Sequence, residues 1–471
     1  MSTRISRRRL LKGAGGLALA AATGPLLAAC SNDEEQSKAS QAAASSGAAG
    51  SPAVLRGTEL KILQWSHFVP KHDQWFDPFA KKWGEDNGVN VSVDHIDLAQ
   101  LRTRAAAEFS AGQGHDLIEL LDPPSDFEPS VFDLRDLNEQ AQKDFGKQLD
   151  VARNSSFNPT TGVWYGFCHG WVPDPGDYRK SLWEKVGFPN GPATWDDLLN
   201  GGKRIKNEQE VQMGIGMSNE IDSNMAGRAL LWSFGASIQD KDENVVINSD
   251  MTVSAVQYMK QLYNDAMTDE IFSWNAASNN QALIAGRASY ILNSISAYRT
   301  AQGAQPDVAD DVFFTPALKG PDGTAFASEH VIPIYIIPKF AKNAAAAKEF
   351  ILNLLRNYKD ATGNSELYTF PSFADTVPDL NSSLDSDPYG SNPPDKLKVL
   401  KTATDWTTNV GHPGPANAAI GEVFATFVIP NMFAKAARGD MSPQAAVADA
   451  EAKIKEIFQK WRGQGLVGGS A

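Results

Sequence analysis

The side chains best suited to chemistry fall in short, separated runs of this 471-residue chain. They are Trp65-Ser66-His67-Phe68, Asp122-Pro123, Cys168-His169-Gly170-Trp171, Trp232, Trp274-Asn275, Asn293 with Tyr298, Glu329-His330 and His412-Pro413. Their types favour a reversible grip over bond-making. Indole and phenol rings give rigid contact area at low entropy cost. Asp, Glu, Asn and His pair with hydroxyls, and charge-assisted hydrogen bonds are roughly twice as strong as neutral ones. A carbohydrate or polyol presents both an apolar C–H face and hydroxyls.

The same sequence carries no G-x-S-x-G elbow and no phosphate loop. His67 and His72 lie five apart, which is not the spacing of a zinc pair such as H-E-x-x-H. Asp240-x-Asp242-x-Asn244 starts like a calcium loop, but Val245 stands where that loop needs Gly and Met251 where it needs Glu. The residues predict a polar hairpin turn there, no metal and no cofactor. A carboxylate pair that cleaves glycosides would have to be Asp122 with Glu329. That makes a secreted glycoside hydrolase an alternative to the binder. A binder of a polyamine or another non-sugar solute is a second alternative, favoured by the acidic balance.

These runs sit at the ends of predicted elements. Leu60 to Trp65 reads as a strand, followed by a helix in which Trp75, Phe79 and Trp83 recur every four residues until Gly88. Val89, Val91 and Val93 alternate as a strand, Ala99 to Ala111 is a helix, and Asp116 to Leu121 is a third strand. That alternation predicts a parallel α/β sheet. A second region begins with a hairpin turn at Thr161 to Gly166. It continues through a helix capped by Thr194 with Asp197 three residues on, a strand at Met213 to Met217, helices to Ala285, and a strand at Ala288 to Leu292. Asn343 opens another helix, residues 371 to 395 read as a surface excursion, and Ser442-Pro443 starts the last helix. Trp75, Trp83, Trp183 and Trp195 are expected in the core. Cys168 is expected to be a buried, inert thiol.

The first 55 residues read differently. Ser6-Arg7-Arg8-Arg9-Leu10-Leu11-Lys12 matches the twin-arginine export pattern, and an Ala/Gly-rich stretch leads to Leu27-Ala28-Ala29-Cys30, which resembles a lipobox. The stretch is shorter and weaker than the roughly 20 apolar residues of a spanning helix. Residues 1–29 are expected to be a signal peptide. Residues 30–55 are then a lipidated Cys30 and a flexible linker, and the protein is an extracytoplasmic one held at the membrane by lipid. Losing the five basic residues of the signal takes the net charge from −13 to −18. So acidic a chain is a poor partner for nucleic acid.

Downstream landmarks follow in order: Trp164-Tyr165-Gly166, Tyr178 to Gly187, Pro192 to Leu198, Leu231 to Ala236, Ala285-Gly286-Arg287-Ala288-Ser289-Tyr290-Ile291 and Ile337-Pro338-Lys339. In that order they resemble the extracellular solute-binding family of ABC importers that includes maltose-binding protein. The resemblance implies a two-lobed α/β periplasmic-binding fold whose hinge closes on a small-molecule solute. It implies a monomer, no covalent chemistry, and a membrane permease as partner. By analogy lobe 1 holds 56–160 and 328–370, and lobe 2 holds 161–327 and 371–465. Family members often place Trp in the loop after the Gly-Arg-Ala strand. Here the loop reads Asn293-Ser294-Ile295-Ser296-Ala297-Tyr298, with the aromatic absent or moved to Tyr298. The expected ligand contacts are Trp65, His67, Asp122, His169, Trp171, Trp232, Trp274, Asn275, Asn293, Tyr298, Glu329, His330 and His412.

Overall fold

A computed structural model describes residues 55–470. Arg7, Arg8 and Cys30 lie outside the described residues.

The chain begins with β1 (Glu59–Trp65), α1 (Lys71–Asn87), β2 (Asn90–Ile96), α2 (Leu98–Ala111) and β3 (Leu117–Leu120). The β1 register with β2 runs in parallel from Glu59↔Asn90 to Trp65↔Ile96, and β3 adds in parallel on the other side. Gly88 ends α1 at φ 69°, a left-handed turn that only glycine adopts freely. α1 buries Phe76, Ala80 and Trp83 against Phe350, while half-buried Trp75 stacks on Phe79. Asp97 caps α2 by accepting from the Ala99 N–H.

The chain then passes through β4 (Phe167–Cys168) and β5 (Gly170–Trp171) into a second sheet. That sheet uses β6 (Gly176–Arg179), α3 (Trp195–Gln209), β7 (Gln212–Gly214), α4 (Ile221–Ser233), α5 (Asp250–Ala266), β8 (Ala288–Leu292), α6 (Ser296–Ala304) and β9 (Val312–Thr315). It returns through β10 (Ile334–Ile336), α7 (Ala344–Arg356), α8 (Tyr358–Asn364) and β11 (Phe370–Pro371). A helical tail follows: α9 (Ala418–Ala425), α10 (Val428–Ala437) and α11 (Pro443–Arg462).

The first sheet has the order β2-β1-β3-β10-β4, with β10 antiparallel to both neighbours. The second has the order β9-β6-β8-β7, parallel only between β8 and β7. Both sheets are therefore mixed. The βαβ spacing predicts the parallel pairs, but strands returning from the other lobe enter antiparallel. Thr194 and Asp197 form a reciprocal capping box on α3, and Ser442 caps α11 with Pro443 in its first turn.

Three extended segments pass between the sheets and bond to one another. Val172 N donates to Val331 O at 3.0 Å, His330 N to Val172 O at 2.8 Å, and Ser372 N to His169 O at 3.2 Å. β5 pairs with β11 there. A Cβ at Gly170 would run into the Tyr358 hydroxyl, so glycine lets these strands approach.

Residues 371–395 run mostly along the surface, as their Pro, Ser and Asp content suggests, with a few side chains turned inward. Phe373, Leu384 and Asp387 in that stretch are buried. Such residues mark turns and caps, and these turns lie over the hinge. The tail packs α10 and α11 on α4 and α5, while α9 reaches back to the turn at Ser125–Ser130. There Ser125 Oγ donates to the Asn417 carbonyl at 2.7 Å. Cys168 is wholly buried, and burial pushes its thiol well above the usual value.

Candidate functional site

Loops from both sheets meet on one buried polar patch. From the second sheet, the loop after β7 brings Glu220 and Asp222 to the start of α4. Glu220 caps that helix, accepting from the backbone N–H of Asp222 at 2.7 Å and of Ser223 at 2.6 Å. The positive end of the helix dipole favours a carboxylate here. Asp222 accepts from the Asn279 amide at 2.7 Å, and Asn279 in turn lies 3.5 Å from Asn293 after β8. Trp274 and Asn275 close the side. The Ser218 hydroxyl holds the Trp274 carbonyl at 2.6 Å. Together Glu220, Asp222, Trp274, Asn275 and Asn279 line a recess that is closed in this structure, with essentially no free volume.

The hinge supplies the floor. His330 Nδ1 sits 3.0 Å from Asp174 Oδ1, and its Nε2 lies 3.9 Å from Asp222 Oδ1. From the first lobe come Tyr368, edge-on to His330 at 6.4 Å between ring centroids, and His67 at 5.2 Å from Tyr368. Trp65 packs 4.6 Å from His67. Farther along the seam, Phe68 and Lys71 face Arg299 and Gln302 across an outer groove of about 420 Å³.

The electrostatics are those of crowded, buried acids. Burial, and then the charge of Asp222, pushes Glu220 up to about 8. Burial pushes Asp222 up to about 6, with His330 opposing the rise and Asp174 adding to it. His330 is held above its ordinary value despite burial, by its bond to Asp174 and the charge of Asp222. Burial and the nearby His72 lower His67 well below its ordinary value, leaving a neutral ring.

Among the sequence candidates, Trp274 and Asn275 share one recess, with Asn293 beside its Asn279 and His330 beside its Asp222, while Trp65 and His67 line a second recess within lobe 1. The others are engaged elsewhere. Asp122, with Asp126, grips Arg102. His169 turns into lobe 1, 2.9 Å from Glu119 and stacked on Tyr335. Trp171 packs edge-on to Phe370 and donates to the Pro371 carbonyl at 3.2 Å. Trp232 and His412 pack on each other at 5.6 Å. The Tyr298 hydroxyl donates to Ser391 at 2.8 Å. Glu329 is adjacent to His330 in an extended segment, so its side chain takes the opposite side. Its surroundings include Arg228, and burial pushes it up to about 8. Asp122 and Glu329 thus do not form a facing pair.

The sequence reading missed Glu220, Asp222, Asp174, Asn279 and Tyr368. The rule that ligands sit beyond the carboxyl ends of strands would have found the first two, since Asn219-Glu220-Ile221-Asp222 follows β7. No comparable signal marks Tyr368.

The raised groups set the pH dependence of stability. Glu220 and Glu329 hold a proton longer folded than unfolded, so their favourable contribution is lost as pH rises toward 8. His330 acts in the same direction, because a raised imidazole stabilises below its unfolded value and not above its folded one. His67 and His412, both lowered, act only below about pH 6.5, the usual histidine value. The melting temperature is therefore expected to fall between pH 6.5 and 8. A thermal melt that is flat or rising over that window refutes the assignment.

Two mixed sheets joined by three bonded segments, with polar loops of both converging at the seam, define a two-lobed binding fold. The sequence profile of the bacterial extracellular solute-binding protein family matches residues 70–357, and the chain belongs to that family. It is similar to binding proteins of Brucella abortus and Brucella suis, 24% identical over 216 residues, which is 43% of this chain. The chain spans about half the length of these relatives, the match covering 50% of theirs. It is also similar to an arabinooligosaccharide-binding protein of Bacillus subtilis, 22% identical over 322 residues, 65% of this chain and 71% of that one. Among solved structures, maltose-bound T. maritima MalE3 superposes with a TM-score of 0.69 at 20% identity, covering 85% of this chain and all of that one. A sugar transporter from Arthrobacter chlorophenolicus A6 with bound laminaribiose gives 0.70 at 16% identity, covering 84% of this chain and 99% of that one.

Proposed function

We propose that the protein is the extracytoplasmic solute-binding component of an ABC importer, capturing a carbohydrate by hinge closure and handing it to a membrane permease. The observation that carries this reading is the seam itself. Trp274, two Asn and two carboxylate side chains of lobe 2 line one recess, and His330 joins its Asp222 to Tyr368 and His67 of lobe 1. The moving bodies in this reading are 56–160 with 328–370 and 161–327 with 371–465. The outer groove of about 420 Å³ lies within the range of about 300–1,000 Å³ usual for ligand pockets. It gives an oligosaccharide room beyond its first ring. The protein works as a monomer, and catalysis is no part of the reading.

The test is a thermal-shift screen of the purified protein against mono- and oligosaccharides, polyols, polyamines and amino acids. A ligand at 100 times its Kd adds about 2.7 kcal/mol of stability. A shift given only by polyamines or amino acids, or hydrolysis of any sugar polymer, refutes the carbohydrate-binding reading. Trp274→Ala is expected to weaken the sugar found by about 2 kcal/mol, roughly thirtyfold in Kd by calorimetry. Unchanged affinity would move the site elsewhere.

The N-terminal reading belongs here too. Export through the twin-arginine pattern at Arg7 and Arg8, with lipidation of Cys30, would tether the clamp beside its permease. Each buried CH₂ of an acyl chain is worth about 0.8 kcal/mol. Cys30→Ala is accordingly expected to move the protein from the membrane fraction to the soluble fraction on cell fractionation. A variant that stays with the membrane refutes lipid anchoring.

A further inference from the structure

Four carboxylates crowd the seam. Asp174, Asp177, Glu220 and Asp222 are each at most 8% exposed. Among the described residues, the cation set against them is His330. Glu220 is offset by the N-terminus of α4, and Asp222 shares His330 with Asp174. Further polar atoms at the seam lack partners altogether. Asp174 Oδ2, both oxygens of Asp177 and the Tyr368 hydroxyl are buried and accept or donate no hydrogen bond. Tyr368 is wholly buried, and it lies close enough to Asp222 and Asp174 for their charges to add to the effect of burial in raising it.

A neutral sugar would supply hydroxyl donors to these acceptors but no charge. Buried carboxylates without a counter-ion are expensive, and a cation that reaches them is worth more than a neutral donor. An ammonium brings three N–H donors and one positive charge. Trp274 on the pocket wall adds a ring face that attracts a cation. A sugar hydroxylated on its other carbons would still use Asn275, Asn279 and Asn293.

Resting on the carbohydrate reading above, we propose that the solute is an amino sugar whose protonated amine enters when the lobes open and sits between Asp222 and Asp174. The pocket would then select for charge at one ring position and for hydroxyls at the others.

The test is isothermal calorimetry at pH 6.5 on the purified protein. The probes are glucosamine, galactosamine, mannosamine and the glucosamine disaccharide. Each is compared with its parent neutral sugar and its N-acetylated form. At least one amine is expected to bind about tenfold or more tightly than both counterparts. Asp222→Asn is expected to bring that ratio close to unity. The wild-type comparison stands alone if that variant does not fold. If a neutral or N-acetylated sugar binds as tightly as its amine, the amino-sugar inference falls and the carbohydrate reading stands. If putrescine or spermidine binds and no sugar does, both fall. Absence of binding by every amino sugar overturns the inference.

Discussion

His330→Ala is expected to lower the unfolding free energy by about 3–5 kcal/mol at pH 6.5. The imidazole lies 3.0 Å from Asp174 and 3.9 Å from Asp222, and all three side chains are nearly or wholly out of water. Removing it leaves two carboxylates facing each other without a counter-ion. Breaking a buried pair is costly because the surviving charge stays buried, not because the pair itself was worth that much. The loss should shrink toward pH 8. His330 is held above its ordinary value by Asp174 and Asp222, so its contribution is fully present at pH 6.5 and below, and fades as the imidazole gives up its proton. His330→Gln can still donate to one carboxylate and should fall between wild type and alanine. Denaturant midpoints at both pH values measure this. A loss under about 1 kcal/mol at pH 6.5 means that the acids are not held apart by this ring.

How much of this was legible in the sequence depends on how far apart the partners lie. The elements announced by local signals are present: Gly88 after α1, Thr194 with Asp197 before α3, Ser442-Pro443 before α11. Each rests on contacts within four residues, where chain connectivity fixes the neighbours. The strand-end rule put Asn293 just beyond β8, where it lies 3.5 Å from Asn279, because a strand's end is also a local feature. What was not legible is which residue faces which. His330 and Asp174 are 156 positions apart, and Asp122 spends its charge on Arg102, 20 positions before it. Glu329 and His330 were read as one unit, but alternation in an extended segment sends them to opposite sides. Similarly, Trp171 has the composition of a ligand platform and the location of a hinge plug. Burial alone cannot separate those roles; the Pro371 carbonyl on its indole N–H does.

Arg299→Ala should be nearly as damaging as His330→Ala, for a different purpose. The Arg299 guanidinium is 2% exposed and makes a two-pronged pair with wholly buried Asp387, at 2.7 and 3.1 Å. Its Nε donates to the Glu366 carbonyl at 2.9 Å. One side chain on α6 therefore ties lobe 2 and the turns over the hinge to the return segment of lobe 1. Glu366 and Leu367 both sit at positive φ, 53° and 65°, a conformation that non-glycine residues seldom take twice in succession. Such strain persists only where the surroundings enforce it, and Arg299 is the bond that does so from lobe 2. The alanine variant is expected to lose about 3–5 kcal/mol, since Asp387 would be left as a buried, uncompensated charge. Lys71→Ala provides the contrast. Lys71 pairs with the Glu366 carboxylate on the surface, and exposed pairs contribute about 0–1 kcal/mol. Arg299→Met with Asp387→Leu removes both charges and should recover much of the loss, while Glu366 stays without its donor. That double variant separates stability from closure. Small-angle scattering should show it more open than wild type without ligand, at near-normal stability. Equal radii of gyration in the two proteins would mean that Arg299 holds the fold together but does not hold the lobes shut.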